Sequence, residues 1–115
     1  MEDILMGLYY FKTMEEKTAT QRLIEEGIQR IYMAADYPEI FPRLEDREFS
    51  LVGTGLSPCK TAEILNELGY KQSEFDSNGW EGETWITFTK EGSRSIILYY
   101  EGWDFDIKIQ VYEDD

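Results

Sequence analysis

The side chains in this chain that could do chemistry are mostly carboxylates, and two of them are spaced as catalytic pairs are. Asp104 and Asp106 stand two positions apart in a segment of alternating polar and apolar residues. On a strand both would point to one face, with Cα atoms about 6.6 Å apart. Such a pair could serve glycoside hydrolysis or supply two oxygen ligands to a divalent cation. Lys108 follows on the same face, which favours a solvated surface, so we predict no catalytic residue and no metal site here.

A glycine-containing segment covers residues 52–61 and reads Val-Gly-Thr-Gly-Leu-Ser-Pro-Cys-Lys-Thr. It resembles the phosphate-binding P-loop motif, with Lys60 at the position of the motif's lysine. Thr54 and Cys59 stand where that motif has glycines, and Pro58 removes one N–H donor that a phosphate would use. We interpret the segment as a glycine turn followed by a helix cap, and we predict no cofactor.

Histidine is absent from the chain, and Cys59 is its one cysteine. The commonest general acid–base group and metal ligand is therefore missing, and zinc sites built from Cys and His are excluded. We predict that the protein is not an enzyme and that Cys59 is structural or incidental. We predict a cytoplasmic protein without a membrane partner. The single thiol favours a reducing compartment, the acids at the N-terminus are unlike a secretion signal, and no apolar run reaches the about 20 residues that span a bilayer.

Charge is the strongest compositional signal. The 115 residues include 24 acids and 11 bases, a net charge of −13, and 42% of the residues are apolar. The apolar content is sufficient for a core, so we predict a single folded domain over residues 1–115. The negative charge repels nucleic acid and anionic membranes alike. The natural partner by charge is a basic protein.

The acids are concentrated in two C-terminal stretches that alternate with aromatic residues, including Trp85 and Tyr99. Carboxylates between aromatic rings can bind an Arg- and Lys-rich surface through salt bridges and cation–π contacts. The residues that we predict to bind a partner are Glu74, Asp76, Trp80, Glu81, Glu83, Glu101, Trp103, Asp104, Asp106 and Tyr112. Equally, the acids could serve solubility alone.

The elements that position these residues follow from hydrophobic periodicity. We predict a first helix over about residues 19–35, with Thr18 and Gln21 as a capping box. A second helix follows Ser57 as N-cap and ends before Gly69. Residues 1–11 fit a short helix slightly better than a strand. Helical spacing is shown by Leu23, Ile24, Ile28, Ile31, Tyr32 and Ala35 in the first helix and by Ala62, Ile64, Leu65 and Leu68 in the second.

From residue 70 onward the period changes from 3.6 to 2, which indicates strands. In the last of them, Ile107 and Ile109 are expected to face inward, while Lys108 and Gln110 face outward. Short turns between successive strands require antiparallel pairing. We predict an α+β fold with two main helices packed on one face of a C-terminal antiparallel β-meander of about four strands, while residues 47–52 could form a further strand.

These features favour a non-catalytic inhibitor that acts as a decoy for nucleic acid. It would bind a basic nucleic-acid-processing enzyme such as a nuclease and block its nucleic-acid-binding surface. Toxin-immunity proteins and anti-defence proteins, of the anti-restriction or anti-CRISPR type, use the same physics. The alternative is a small accessory domain that binds a protein through an aromatic sheet face, with the charge incidental.

Overall fold

The computed structural model describes residues 18–102 and 106–112. The segment 1–11 and the predicted partner-binding residues Trp103 and Asp104 lie outside the described residues.

Helix α1, Ala19–Asp36, begins at the predicted capping box. The Thr18 side chain accepts a hydrogen bond from the backbone N–H of Gln21, and the Gln21 side chain accepts one from the N–H of Thr18. Both exchanges satisfy donors that a helix N-terminus leaves free. The helix buries one stripe, Ile24, Gly27, Ile28, Ile31 and Ala34.

A short 3-10 helix, Leu44–Arg47, leads into strand β1, Glu48–Ser50. Helix α2, Pro58–Glu67, follows, and the Ser57 hydroxyl caps its N-terminus by accepting from the backbone N–H of Lys60. Gly69 has φ +99° just beyond its end, a left-handed conformation that favours glycine. The predicted second helix and its punctuation are therefore confirmed.

Four further strands complete one sheet: β2, Lys71–Asn78; β3, Glu83–Thr89; β4, Ile96–Glu101; and β5, Lys108–Val111. The strand order is β1-β5-β4-β3-β2, and all neighbours are antiparallel. The predicted α+β class is confirmed. The sheet has five strands: four lie in the C-terminal segment, and β1, which falls within residues 47–52 where the sequence allows a further strand, pairs with β5.

The core joins the buried stripes of both helices to one face of the sheet. Phe88, Leu98 and Ile109 have no solvent-exposed surface there, and they belong to the same cluster as Ile28 and Leu65. Strand β2 differs from the other strands because all eight of its residues are exposed. Neither α1 nor α2, the helices of the described residues, has the length and apolar character that crossing a bilayer requires.

Candidate functional site

The candidate site is the sheet face opposite the core, which we call the open face. Side chains alternate between the two faces of a strand, so the buried residues of β3, β4 and β5 identify their neighbours as members of the open face. Cross-strand register extends the assignment to β1 and β2. The open face comprises Glu48, Ser50, Lys71, Glu74, Asp76, Asn78, Glu83, Trp85, Thr87, Thr89, Ile97, Tyr99, Glu101, Asp106, Lys108, Gln110 and Tyr112.

Two aromatic rings occupy the centre of the open face. Trp85 and Tyr99 are directly opposite each other on β3 and β4, with ring centroids 5.6 Å apart and planes inclined at 43°. Such a tilted pair is a favourable aromatic geometry. Asp76 lies opposite Trp85 on its other side, and Lys108 lies opposite Tyr99. Across the four neighbouring strands β2, β3, β4 and β5, one row of side chains therefore consists of an acid, two aromatic rings and a base.

One end of the open face concentrates negative charge. Glu83 and Glu101 are directly opposite each other on neighbouring strands, where like charges repel. Desolvation raises the pKa of Glu83, and the charges of Glu81 and Glu101 raise it further. The Tyr99 hydroxyl donates a hydrogen bond to Glu101 Oε1 at 2.7 Å. This hydrogen bond offsets only part of the repulsion, because the pKa of Glu83 is still raised, and a cationic group that approaches this end would be attracted.

Few positive charges balance these acids on the described part of the open face. Lys108 Nζ lies 4.0 Å from Glu48 Oε1 at the β1 side. Lys71 stands at the end of β2 away from Glu83. Asp106 accepts a hydrogen bond from the Ser50 hydroxyl at 3.0 Å. The acids near the β2–β3 turn therefore have no base of the open face beside them.

A shallow depression of about 610 Å³ lies in the open face. Its lining combines the acids of β2 with apolar and aromatic groups: Glu74, Phe75, Asp76, Trp85, Thr87, Ile97 and Tyr112. A long side chain with an apolar stem and a charged end, as in Arg or Lys, matches this lining.

The structure places most of the predicted partner-binding residues around this face. Those on the open face itself are Glu74, Asp76, Glu83, Glu101, Asp106 and Tyr112. Trp80 and Glu81 lie in the turn between β2 and β3, where Trp80 is 98% exposed. The predicted set omitted Trp85 and Tyr99, although the sequence places both among the acids, and it also omitted Ile97 and Glu48. Ile97 could have been found from its alternation with buried Ile96 and Leu98, whereas Glu48 joins the face only through long-range pairing.

The glycine-containing segment forms the predicted turn and helix cap. Gly53 and Gly55 have φ values of +83° and +76°. The Thr61 hydroxyl donates to the Ser57 carbonyl at 2.8 Å, and Lys60 forms an ion pair with Glu63 at 3.4 Å. The polar side chains of this segment thus serve the turn and the helix itself. Cys59 is exposed, as a free thiol.

Within residues 18–102 and 106–112, no group of three or more His, Cys, Asp or Glu side chains is placed to hold a metal ion. Comparisons with protein-family models, with curated proteins and with solved structures gave no match to this chain.

Proposed function

We propose that this protein is a non-catalytic cytoplasmic inhibitor that binds a basic nucleic-acid-processing enzyme, such as a nuclease, and covers its nucleic-acid-binding surface. The observation that carries the proposal is the open face, where Glu74, Asp76, Glu83 and Glu101 surround the Trp85–Tyr99 pair. An anti-defence protein of the anti-restriction or anti-CRISPR type and a toxin-immunity protein would both use such a face.

The sheet supports this role by fixing the positions of the carboxylates. Neighbouring strands are about 4.8 Å apart, and alternate residues along one strand about 6.6 Å apart. Carboxylates held in such a grid can meet the Arg and Lys side chains that otherwise neutralise phosphates. Because the grid exists before binding, little conformational entropy is lost when it engages.

The layered arrangement supplies the free surface. We propose that the two helices, by covering one face of the C-terminal meander, leave the other face to the partner. Trp85 and Tyr99 then contribute contact area and cation–π partners between the charged groups.

The test is capture of a partner from source cells on the tagged protein, with washes at low and high salt and identification by mass spectrometry. We expect a basic nucleic-acid-binding enzyme whose capture falls as ionic strength rises, because salt screens exposed charges. The variant Glu74→Gln/Asp76→Asn/Glu83→Gln/Glu101→Gln should lose most of this capture. The matched control, Glu26→Gln/Glu39→Gln/Asp46→Asn/Glu63→Gln, neutralises the same number of exposed acids outside the open face and should retain it. Equal capture by both variants would overturn the proposal.

The alternative is an accessory domain that binds a protein through the aromatic and apolar part of the same face. The observation that favours it is the lining of the depression by Trp85, Ile97 and Tyr112. Burial of apolar groups is insensitive to moderate salt. This function would be supported by salt-resistant capture of a neutral partner. The capture should be lost in Trp85→Ala and retained in the variant with the four neutralised acids.

A further inference from the structure

Strand β2 is one of the two outermost strands of the sheet in the described part of the chain, next to β3 alone, and with eight residues it is longer than the other, the three-residue β1. An edge strand presents backbone N–H and C=O groups that pair with nothing in the sheet. All eight residues of β2 are exposed, including Phe75, which is 61% exposed although it lies opposite the buried Ile86. Both sides of this strand are therefore accessible to another chain.

The hydrogen-bond pattern of the sheet identifies which groups of β2 point outward. In antiparallel pairs, a residue that bonds to one neighbouring strand turns its backbone groups away from the other. Gly102 N–H donates to the Gly82 carbonyl at 2.8 Å in continuation of the β3–β4 register. Residues 84, 86 and 88 therefore bond to β4, and residues 83, 85 and 87 bond to β2. On β2, Glu74, Asp76 and Asn78 face β3, and the backbone groups of Phe75 and Ser77 face outward.

The neighbouring strands follow the same alternation. Tyr112 N–H donates to the Ser95 carbonyl at 2.9 Å, and Leu51 N–H donates to the Ile107 carbonyl at 2.7 Å. Both bonds agree with the assignment made for β3 and β4, in which successive residues of a strand bond to opposite neighbouring strands. The outward N–H of Ser77 is instead accepted by the Asp76 carboxylate at 2.9 Å, as expected for a donor without a strand partner.

From this edge we infer that β2 binds an extended basic segment of a partner as a sixth strand, with positively charged side chains opposite Glu74 and Asp76 and an apolar side chain opposite Phe75. The inference rests on the proposed function for the sign of the partner's charge and adds the backbone mode of recognition. Charge complementarity selects this occupant: a second copy of the chain also carries −13 and would repel the first. Strand addition of this kind takes its affinity from main-chain hydrogen bonds and its specificity from alternate side chains.

The register of the added strand makes the inference testable at single backbone atoms. A residue directly opposite Phe75 would exchange both N–H···O bonds with it and point its side chain to the same face as Phe75. The apolar residues of the partner would then donate their N–H groups to β2, while the N–H groups of its basic residues would point away. Binding would also release Asp76 from Ser77 to meet a basic side chain.

The experiment uses the full chain and a synthetic end-blocked peptide of alternating Val and Lys, about as long as the eight residues of β2. Two derivatives have identical charge and composition: one is N-methylated on the valines and the other on the lysines. We expect the valine-methylated peptide to bind about tenfold more weakly or worse, because it loses several hydrogen bonds. The lysine-methylated peptide should bind as the parent does. A Glu-Val peptide should not bind.

Amide hydrogen exchange gives a second readout. The N–H groups of Phe75 and Ser77 should exchange fast in the free protein and slowly in the peptide complex. Slow exchange in the free protein would mean that this chain or a second copy already covers the edge, which sedimentation would distinguish, and would overturn the inference.

Equal binding of the two methylated peptides, or no binding of the parent peptide, would also overturn strand addition. Neither result affects the proposed function, which is decided separately by salt-sensitive capture of a folded enzyme on the open face.

Discussion

The hydroxyl oxygens of Tyr32 and Tyr70 lie 2.6 Å apart and join α1 to the start of β2. Tyr32 also donates its hydroxyl proton to the Arg94 carbonyl at 2.7 Å. Because a carbonyl can only accept, Tyr70 must donate to Tyr32. The two tyrosines therefore differ in their hydrogen bonds: Tyr32 both donates and accepts, whereas Tyr70 donates to Tyr32.

Tyr32→Phe is therefore expected to destabilise the protein more than Tyr70→Phe. The first change leaves a carbonyl and the Tyr70 hydroxyl without their partner, at a cost of about 1–3 kcal/mol, whereas the second removes one bond, about 1 kcal/mol. Urea denaturation of both variants measures the difference. Equal destabilisation would contradict the assigned donor direction.

Stability should decline at alkaline pH. Burial raises the pKa of Tyr32 and of Tyr70 above the usual range, and desolvation with the neighbouring Glu101 raises the pKa of Tyr99. The unfolded chain ionises these groups near pH 10. Their contribution to stability is complete below that pH and is lost as pH rises toward the folded-state pKa values. Tm measured from pH 8 to 11 should fall less steeply in Tyr32→Phe/Tyr70→Phe/Tyr99→Phe; parallel curves would contradict this assignment.

Glu83→Gln should raise Tm at pH 7 while weakening capture of a basic partner. The pKa of Glu83 is raised by desolvation and by Glu81 and Glu101, so its ionised form is unfavourable in the folded state. The gain in Tm over the native chain should shrink as pH falls through the folded-state pKa toward about 4.3, its unfolded value. Glu26→Gln, on α1, serves as the control for a change of charge alone. A fall in Tm at pH 7 would show that Glu83 stabilises the fold.

Gly27→Ala should have opposite effects in two backgrounds. A Cβ at Gly27 would lie 2.5 Å from the Phe49 ring atom Cε2, and such overpacking costs about 1–3 kcal/mol. Alanine also gains about 1 kcal/mol of helix propensity over glycine. We expect net destabilisation in the native chain and stabilisation by about 1 kcal/mol in a Phe49→Ala background, measured by denaturation. If Gly27→Ala changed the free energy of unfolding in the same direction in both backgrounds, the close contact between position 27 and the Phe49 ring would be contradicted.

Local signals predicted the helices closely because they act within a few residues. Thr18 with Gln21, Ser57 and Gly69 occupy the cap positions expected of them, and the hydrophobic stripes follow one helical face. Pairing of β1 with β5 depends on residues far apart in the chain, so alternation could suggest a strand over residues 47–52 but not its position in the sheet.

The composition of the open face was predictable only in part. Alternation in β5 correctly separates Ile109 from Lys108 and Gln110. In β2, however, the register shifts between Gln72 and Glu74, so that Lys71 and Glu74 share a face although they are three positions apart. A bulge of this kind inverts the alternation beyond it. No period-of-two argument reveals it from the sequence.

The position of β5 between β1 and β4 has a consequence for the order of folding. The hairpins β2–β3 and β3–β4 form between neighbours in sequence, whereas Glu48 and Gln110 pair across about 60 positions, a closure with a larger entropic cost. Strand β1 should therefore dock last, after the meander has assembled. Until it does, the backbone edge of β5 on that side lacks a partner. Docking of β1 covers this side of β5 and leaves a three-residue strand as the sheet edge there, much shorter than the eight-residue edge that β2 presents on the other side.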